Sequence, residues 1–459
     1  MRPRSILFFI LSVLVLLALL CVVMPENGIH IGSTTLRFPS LYQVAAGNDV
    51  DTVANAVADT VEVESAHIDY ATLDGPIPIS SSILCPGGDV HYFDSFFDDL
   101  KAAASEGRYV RILHYGDSQI EMDRMSGALR ASLQGRYGGG GPGLVPVHPI
   151  IPSPAVSQSC SGNMRRLSSF GSGDVLRSNG NYGPMMQAFR LEGNATASFN
   201  IAKLRIVDDR VKHFKRVTLL FNNRDGEVAA SLSVKKPSNV AVDEPLASFA
   251  PGAPSVGCLR WTLPSDASSL ALSLSGAGDI YGVMLDAEPG VAVDNIPMRG
   301  CSGHQFTLTD FNLLEGAYSQ MDVGLIIMQF GGNSMPYLQG EKSIVAYCNT
   351  IGKQIDYVHR ACPKAKILFI GPSDMSTSVN GSLQSYPCLE QVVQELCRTA
   401  LTHGAAFWSI YHTMGGHNSM IQWAAQGLAG SDYVHFSNKG AKIMGDSLVA
   451  AFDRVQSAR

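Results

Sequence analysis

Arg2 and Arg4 precede an uncharged, mostly aliphatic run from Ile6 to Met24. As a helix this run of about 19 residues would be about 28 Å long, close to the thickness of a bilayer core. Leu19, Leu20, Cys21, Val22 and Val23 offer no small-x-small cleavage pattern, so residues 1–24 predict a retained membrane anchor rather than a cleaved signal peptide. The basic flank stays in the cytoplasm and the chain beyond Pro25 crosses to the other side. The expected location is an inner-membrane anchor with the globular part in the periplasm or cell exterior, or a secreted chain if the segment is removed. Residues 25–90 mix Gly, Ser, Thr, Asp and Val with no sustained period and read as a spacer.

From 91 to 148 the pattern changes. Phe93, Phe96, Phe97 and Leu100 recur at helical spacing, and Arg108 to Tyr115 reads as a strand. Gly116-Asp117-Ser118-Gln119 then forms a sharp turn into a helix predicted from Ile120 to about Leu133, which the glycines from Gly138 to Gly143 end. Residues 149–280 are β-like. Candidate strands Ala197 to Ile206, Arg216 to Phe221, Val228 to Val234, Arg260 to Leu263 and Leu270 to Leu274 lie between turn-forming clusters, the spacing of a sandwich or jelly roll inserted into the first domain. From 281 to 459 strand and helix alternate. Val323 to Phe330, Ile367 to Gly371 and Ala405 to Ile410 are short apolar strands, with helices over Ser343 to Val358, Leu389 to Leu401 and Lys439 to Phe452. Such alternation predicts an α/β domain with a parallel sheet covered on both faces, its chemistry beyond the carboxyl ends of the strands. Ser118 and Asn333 both fall there.

Composition removes several function classes. Charged residues are 16% and hydrophobic ones 46% of the chain, which excludes disorder over most of its length. A net charge of −6 without a basic block argues against nucleic acid as a partner. No Cys-x-x-Cys or His-Glu-x-x-His occurs, so no zinc site, no other metal and no cofactor is signalled. The eight cysteines beyond Cys21 are exported with the domain and are free to oxidise, in pairings that spacing does not select.

A serine nucleophile needs a base within hydrogen-bond reach, a group that orients the base, and donors for the oxyanion. Ser118 sits at a strand-to-helix turn, and Asp432-Tyr433-Val434-His435 places a carboxylate three residues before a histidine. Glu121, Asp123 and Arg124 read as a solvated helix face, with Arg124 also able to hold a sugar or a loop, and His114, His304 and His417 as structural histidines.

In order and context these segments resemble the four blocks of the SGNH (GDSL-type) hydrolase superfamily. Gly116-Asp117-Ser118 resembles the first block, and the resemblance implies Ser118 as nucleophile. Asn295 to Gly300 resembles the second, implying Gly300 as a backbone oxyanion donor beside the Ser118 N–H. Gly331-Gly332-Asn333 resembles the third, with Asn333 as the side-chain donor, and the last implies His435 as base and Asp432 as its orienter. Gln119 replaces the usual leucine and Ser334 the usual aspartate, two departures from the lipase-like branch. The stretch His114 to Pro146 is similar to exported bacterial members acting on acetylated cell-wall or extracellular polysaccharides, including peptidoglycan O-acetylesterases with a β-rich, carbohydrate-binding-like insertion. The fold so implied is a flavodoxin-like three-layer α/β/α domain interrupted by a jelly-roll-like β-sandwich. The expected activity is removal of O-acetyl groups by a Ser-His-Asp acyl-enzyme route. The alternatives are acetyl transfer to a sugar hydroxyl by the same residues, and carbohydrate binding without catalysis.

Overall fold

The computed structural model describes residues 29–31, 34–36, 68–73, 75–171, 180–202, 208–223, 225–234 and 256–459. The chain divides into two units, Met1–Glu64 and Ser65–Arg459. In the first, strands β1 (Ile29–Ile31) and β2 (Thr34–Leu36) pair antiparallel. The anchor expected over residues 6–24 lies outside the described residues; among the described residues no helix is long and apolar enough to cross a membrane.

The second unit opens on a segment whose sequence reads as spacer but that is already folded. Ile77, Ile83 and Cys85 are buried, and Leu84 exchanges two backbone hydrogen bonds with Phe407. Helix α1 (Asp94–Ala103) leads into β3 (Tyr109–Gly116), and helix α2 (Ser126–Tyr137) comes after the turn that ends it. The helix predicted from Ile120 thus starts six residues later. Residues Ser118–Asp123 form 3₁₀ turns interrupted at Glu121 and Met122, and Met122 and Asp123 are both left-handed. Arg130 holds Asp123 there through two hydrogen bonds of 2.9 and 3.0 Å.

The insertion comprises β4 (Gly143–Val145), β5 (Val156–Ser168), β6 (Gln187–Ile201), β7 (Phe214–Asn222), β8 (Val228–Val234), β9 (Val256–Ala267) and β10 (Ser269–Asp286). All pair antiparallel. The first half of β10 lies between β6 and β8, and its second half, past a bulge at Ile280/Gly282, between β7 and β4. One long strand thus belongs to two layers, which enclose Phe199, Phe221, Leu232, Trp261 and Leu272. The Leu270–Leu274 segment expected as a short strand is part of this longer element, and the insertion's pairing begins at Gly143, inside the glycine run.

The chain then returns through β11 (Gly290–Pro297), α3 (Phe311–Ser319), β12 (Val323–Gln329), α4 (Glu341–Ala361), β13 (Lys366–Gly371), the hairpin β14 (Ser376–Val379) and β15 (Ser382–Ser385), α5 (Leu389–Thr402), β16 (Ala406–Ser409), the short α6 (Ile410–Thr413) and α7 (Ser419–Ala425), and α8 (Asn438–Ser457). The parallel sheet has the order β11-β3-β12-β13-β16, which in order of appearance is 2-1-3-4-5, the flavodoxin-like arrangement. Alternate residues of each strand face opposite layers. Ile112, Leu325, Ile327, Leu368 and Ile370 pack with Leu129 of α2 and Phe452 of α8. Leu113, Ile326, Met328, Ile367 and Phe369 pack with Ile351 of α4 and Leu396 of α5. This two-faced burial explains why the strands are apolar throughout. The order also creates a switch point between β3 and β12, whose neighbours on either side continue in opposite directions, and it is there that a crevice opens.

Candidate active site

Three of the four sequence blocks reach this crevice as loops after parallel strands, and the fourth lies just before α8. Ser118 begins the turn after β3, and its Oγ is 2.7 Å from His435 Nε2. His435 Nδ1 is 2.7 Å from Asp432 Oδ2. A carboxylate can only accept, so Nδ1 carries the proton and Nε2 is left to receive the serine hydrogen. The short segment between them is held by Asp432 itself, whose Oδ1 accepts from the Val434 and His435 N–H groups at 3.0 and 3.1 Å. Burial works against ionisation of Asp432, but the His435 side chain and these two N–H groups together bring its pKa below the ordinary carboxylate value.

Gly300 has φ +77° and open space where a Cβ would stand. Glycine suits this left-handed position, and the lack of a side chain leaves the approach to its N–H clear. Among the described residues neither the Ser118 N–H nor the Gly300 N–H has an intramolecular acceptor. Asn333 is differently placed. Its Nδ2 donates to Asp117 Oδ2 and to the Cys301 carbonyl, both at 3.1 Å, so its two donor hydrogens are engaged in this state and an incoming oxyanion must share one of them. The cleft is about 650 Å³ and is lined by Ser118, Gly300, Asn333, Tyr337, Tyr386 and His435 among others.

Three residues of the turn that carries Ser118 hold neighbouring loops; the reading of Arg124 as able to hold a loop agrees with its contact, whereas sequence reasoning missed the roles of Gln119 and Glu121. Gln119 is buried. Its Nε2 donates to the Val434 carbonyl at 2.5 Å and its Oε1 accepts from the Phe436 N–H at 3.2 Å, so one amide brackets His435 on both sides. Arg124 donates to the Phe436 carbonyl at 3.2 Å. Glu121, expected on a solvated face, is instead buried and takes a bidentate pair from Arg299, both distances 2.6 Å, which fastens the residue before Gly300. The turn that carries Ser118 therefore also holds the loop of His435 and the residue before Gly300. The one signal of this in the sequence is the departure at Gln119, since leucine makes no such bonds. Gln119→Leu is expected to lower kcat about 10- to 100-fold with little change in KM, because small displacements of a reacting group carry losses of that order; steady-state kinetics on a small acetyl ester checks this.

Asp117 lies beneath Ser118. Burial raises its pKa to about 6, against the hydrogen bond from the Gln119 N–H, the nearby His435 and the Asn333 amide. The folded-state value exceeds the ordinary 3.8, so the folded protein binds the extra proton between these values, and stability falls as pH rises through that window. Asp117→Asn is expected to remove this dependence and to stabilise the protein above pH about 6. The same change presents Asn333 with a donor in place of an acceptor and turns its amide away. The expected fall in kcat is about 100-fold, the scale of losing one oxyanion donor. Denaturation curves across pH together with kcat test both halves. His114 is fully buried, with its pKa lowered to about 4 by that burial, and bonds Gln329 and Ser126 at 3.0 and 2.9 Å; it is a neutral structural group.

Among the described residues one group has metal-ligand types close together, His213, Asp266 and Glu288 at the surface, and none of the three lines the cleft that holds Ser118. Cys348, Cys362 and Cys397 are buried thiols without disulfides, and burial pushes Cys348 up to about 12 and Cys362 up to about 11.

No protein-family model matches the chain, and no curated protein matches it in sequence. Solved structures do match. A peptidoglycan O-acetylesterase superposes with a TM-score of 0.62 at 21% identity, over 80% of this chain and 96% of that one. A family two carbohydrate esterase from Clostridium thermocellum, in complex with cellohexaose, gives a TM-score of 0.28 at 11% identity over 59% of this chain and 95% of that one. A family 2 carbohydrate esterase with a carbohydrate binding domain from Corynascus thermopiles (Myceliophthora fergusii) gives 0.28 at 11% over 64% and 100%. With its 2-1-3-4-5 parallel sheet and its inserted antiparallel layers, the chain shares the fold of the first of these.

Proposed function

We propose that this protein is a serine ester hydrolase that removes O-acetyl groups from a cell-wall or extracellular polysaccharide, peptidoglycan being the leading case. The observation that carries this reading is the unbroken chain from Asp432 through His435 to Ser118, each link 2.7 Å, opening onto a cleft with two unpaired N–H groups. Ser118 Oγ attacks the acetyl carbonyl while His435 Nε2 takes its proton, and the negative oxygen settles on the Ser118 and Gly300 N–H groups with Asn333 sharing a hydrogen. The C–O bond to the sugar breaks as His435 returns the proton to the leaving hydroxyl. Water, deprotonated by the same imidazole, then releases acetate and frees Ser118. The fold shared with a peptidoglycan O-acetylesterase supports the substrate class, and the apolar run behind Arg2 and Arg4 supports export and anchoring at the membrane.

Acetyl transfer to a sugar instead of water would require a site that excludes solvent. The side chains of His435 and Asp432 are 37% and 52% exposed, which favours hydrolysis. The test is to incubate the full chain with an O-acetylated polysaccharide and a second, unacetylated glycan. The expected result is free acetate in proportion to ester lost. Acetyl groups recovered on the second glycan with little free acetate would establish the transferase, and glycan binding without loss of ester would establish a binding protein.

A further inference from the structure

Tyr337 is the one aromatic side chain among the described residues that stands largely in solvent, at 79% exposure. Its exposure does not come from a loose segment. It ends the 3₁₀ helix Gly332–Tyr337, directly after Pro336, whose ring restricts the backbone. Met335 and Leu338 on either side are buried, and the Leu338 N–H closes the turn on the Met335 carbonyl at 3.2 Å. A large apolar face is thus held out rigidly where packing does not require it. Both Pro336 and Tyr337 line the cleft that contains Ser118. The same helix carries Asn333, and four residues of 3₁₀ helix advance about 8 Å. That is comparable with the span from an acetyl carbonyl to the far side of the pyranose ring that carries it. The insertion offers no rival platform among its described residues, since Phe189, Phe199, Phe214, Phe221 and Trp261 are all buried.

We propose that Tyr337 is the platform for the alcohol part of the ester, and that this alcohol is a pyranose whose C–H face lies on the aromatic ring. The inference rests on the ester hydrolase reading above and assigns the residue that holds the sugar ring bearing the ester. The negative face of the phenol ring attracts the weakly positive axial C–H groups, and the ring's apolar area leaves water at the same time. Tyr337 makes no bond to the reacting atoms in this arrangement, so its effect falls on binding, and more on ring-bearing esters than on esters without a ring.

The test separates the subsite from the chemistry. Binding of methyl 6-O-acetylglucopyranoside to full-length Ser118→Ala protein is measured by calorimetric titration with and without Tyr337→Ala. Turnover of the same glycoside and of triacetin is measured in the Ser118 protein with Tyr337, Tyr337→Phe and Tyr337→Ala. The expected result is that Tyr337→Ala weakens binding and raises KM for the glycoside about tenfold, lowers kcat/KM for triacetin by a much smaller factor, and is rescued by Tyr337→Phe. Unchanged binding of the glycoside by Tyr337→Ala, or equal losses on both esters, would overturn the subsite. Loss of binding in Tyr337→Ala by a protein that hydrolyses neither ester would uphold the subsite and overturn the hydrolase reading instead.

Discussion

Ser118→Ala and His435→Ala are each expected to reduce hydrolysis of p-nitrophenyl acetate about 10⁴-fold or more, the scale set by nucleophile and base variants of other serine hydrolases. The magnitude reflects the work of each atom. In the proposed route Ser118 Oγ forms the bond, so without it only uncatalysed water attack within the cleft would remain. His435 Nε2, 2.7 Å from that oxygen, takes in the same route the proton that makes it nucleophilic, and among the described residues no other imidazole lines the cleft. Because the two act as a unit, the double variant is expected to be no worse than either single one. Asp432→Asn removes the acceptor that fixes the His435 tautomer, yet Asp432 is half exposed and its Oδ1 also holds the Val434 and His435 N–H groups. Its loss is expected to be smaller, and visible in kcat. Unaltered circular dichroism in all four variants shows that chemistry and not folding has been lost.

The largest stability effect is expected at Arg111, far from the chemistry. This arginine of β3 is buried and makes two bidentate pairs, Nη1 to Asp294 at 2.7 and 2.9 Å and Nη2 to Asp286 at 2.9 and 2.7 Å. Burial alone would lower its pKa, but the two carboxylates raise it above the ordinary value. Asp294 also accepts from the Leu144 N–H at 2.8 Å, so one cluster joins β3 and β11 of the parallel sheet to β4 and β10 of the insertion. Arg111→Met leaves two carboxylates buried without a counter-charge, and is expected to destabilise the fold by about 4 kcal/mol, read as a lower urea midpoint. Replacing Asp286 by leucine in the same chain removes one of these charges and is expected to recover part of the loss. A second variant that is less stable than Arg111→Met would show that the cost lies in packing and not in the unpaired charge.

The parallel sheet is legible in the sequence because both of its faces are covered. Strands such as Leu325 to Met328 must then be apolar at every position, and helices between them must show one apolar stripe. The catalytic blocks are legible for a different reason, since Asp432 and His435 are three residues apart and Gly116-Asp117-Ser118 comes directly after a strand. Contacts between distant segments escape such reading. A left-handed Met122 and Asp123 carry no local signature, so the pattern places the helix six residues early. Glu121 looks like any surface glutamate until β11 brings Arg299 beside it, and the bracket of Gln119 around His435 joins residues more than three hundred positions apart. Likewise, no short apolar run within β10 reveals that its partners extend it to eighteen residues.

At the centre of the proposed mechanism Ser118 carries the acetyl group between its two owners, sugar and water. Intact-mass spectrometry of the full chain, quenched in acid within the first turnovers on p-nitrophenyl acetate and combined with peptide mapping, tests it directly. The expected result is one added acetyl group per chain, located on Ser118, absent from Ser118→Ala and slow to form in His435→Ala. Turnover that proceeds with no acetyl group on Ser118, or with the same mass gain in Ser118→Ala, would contradict it.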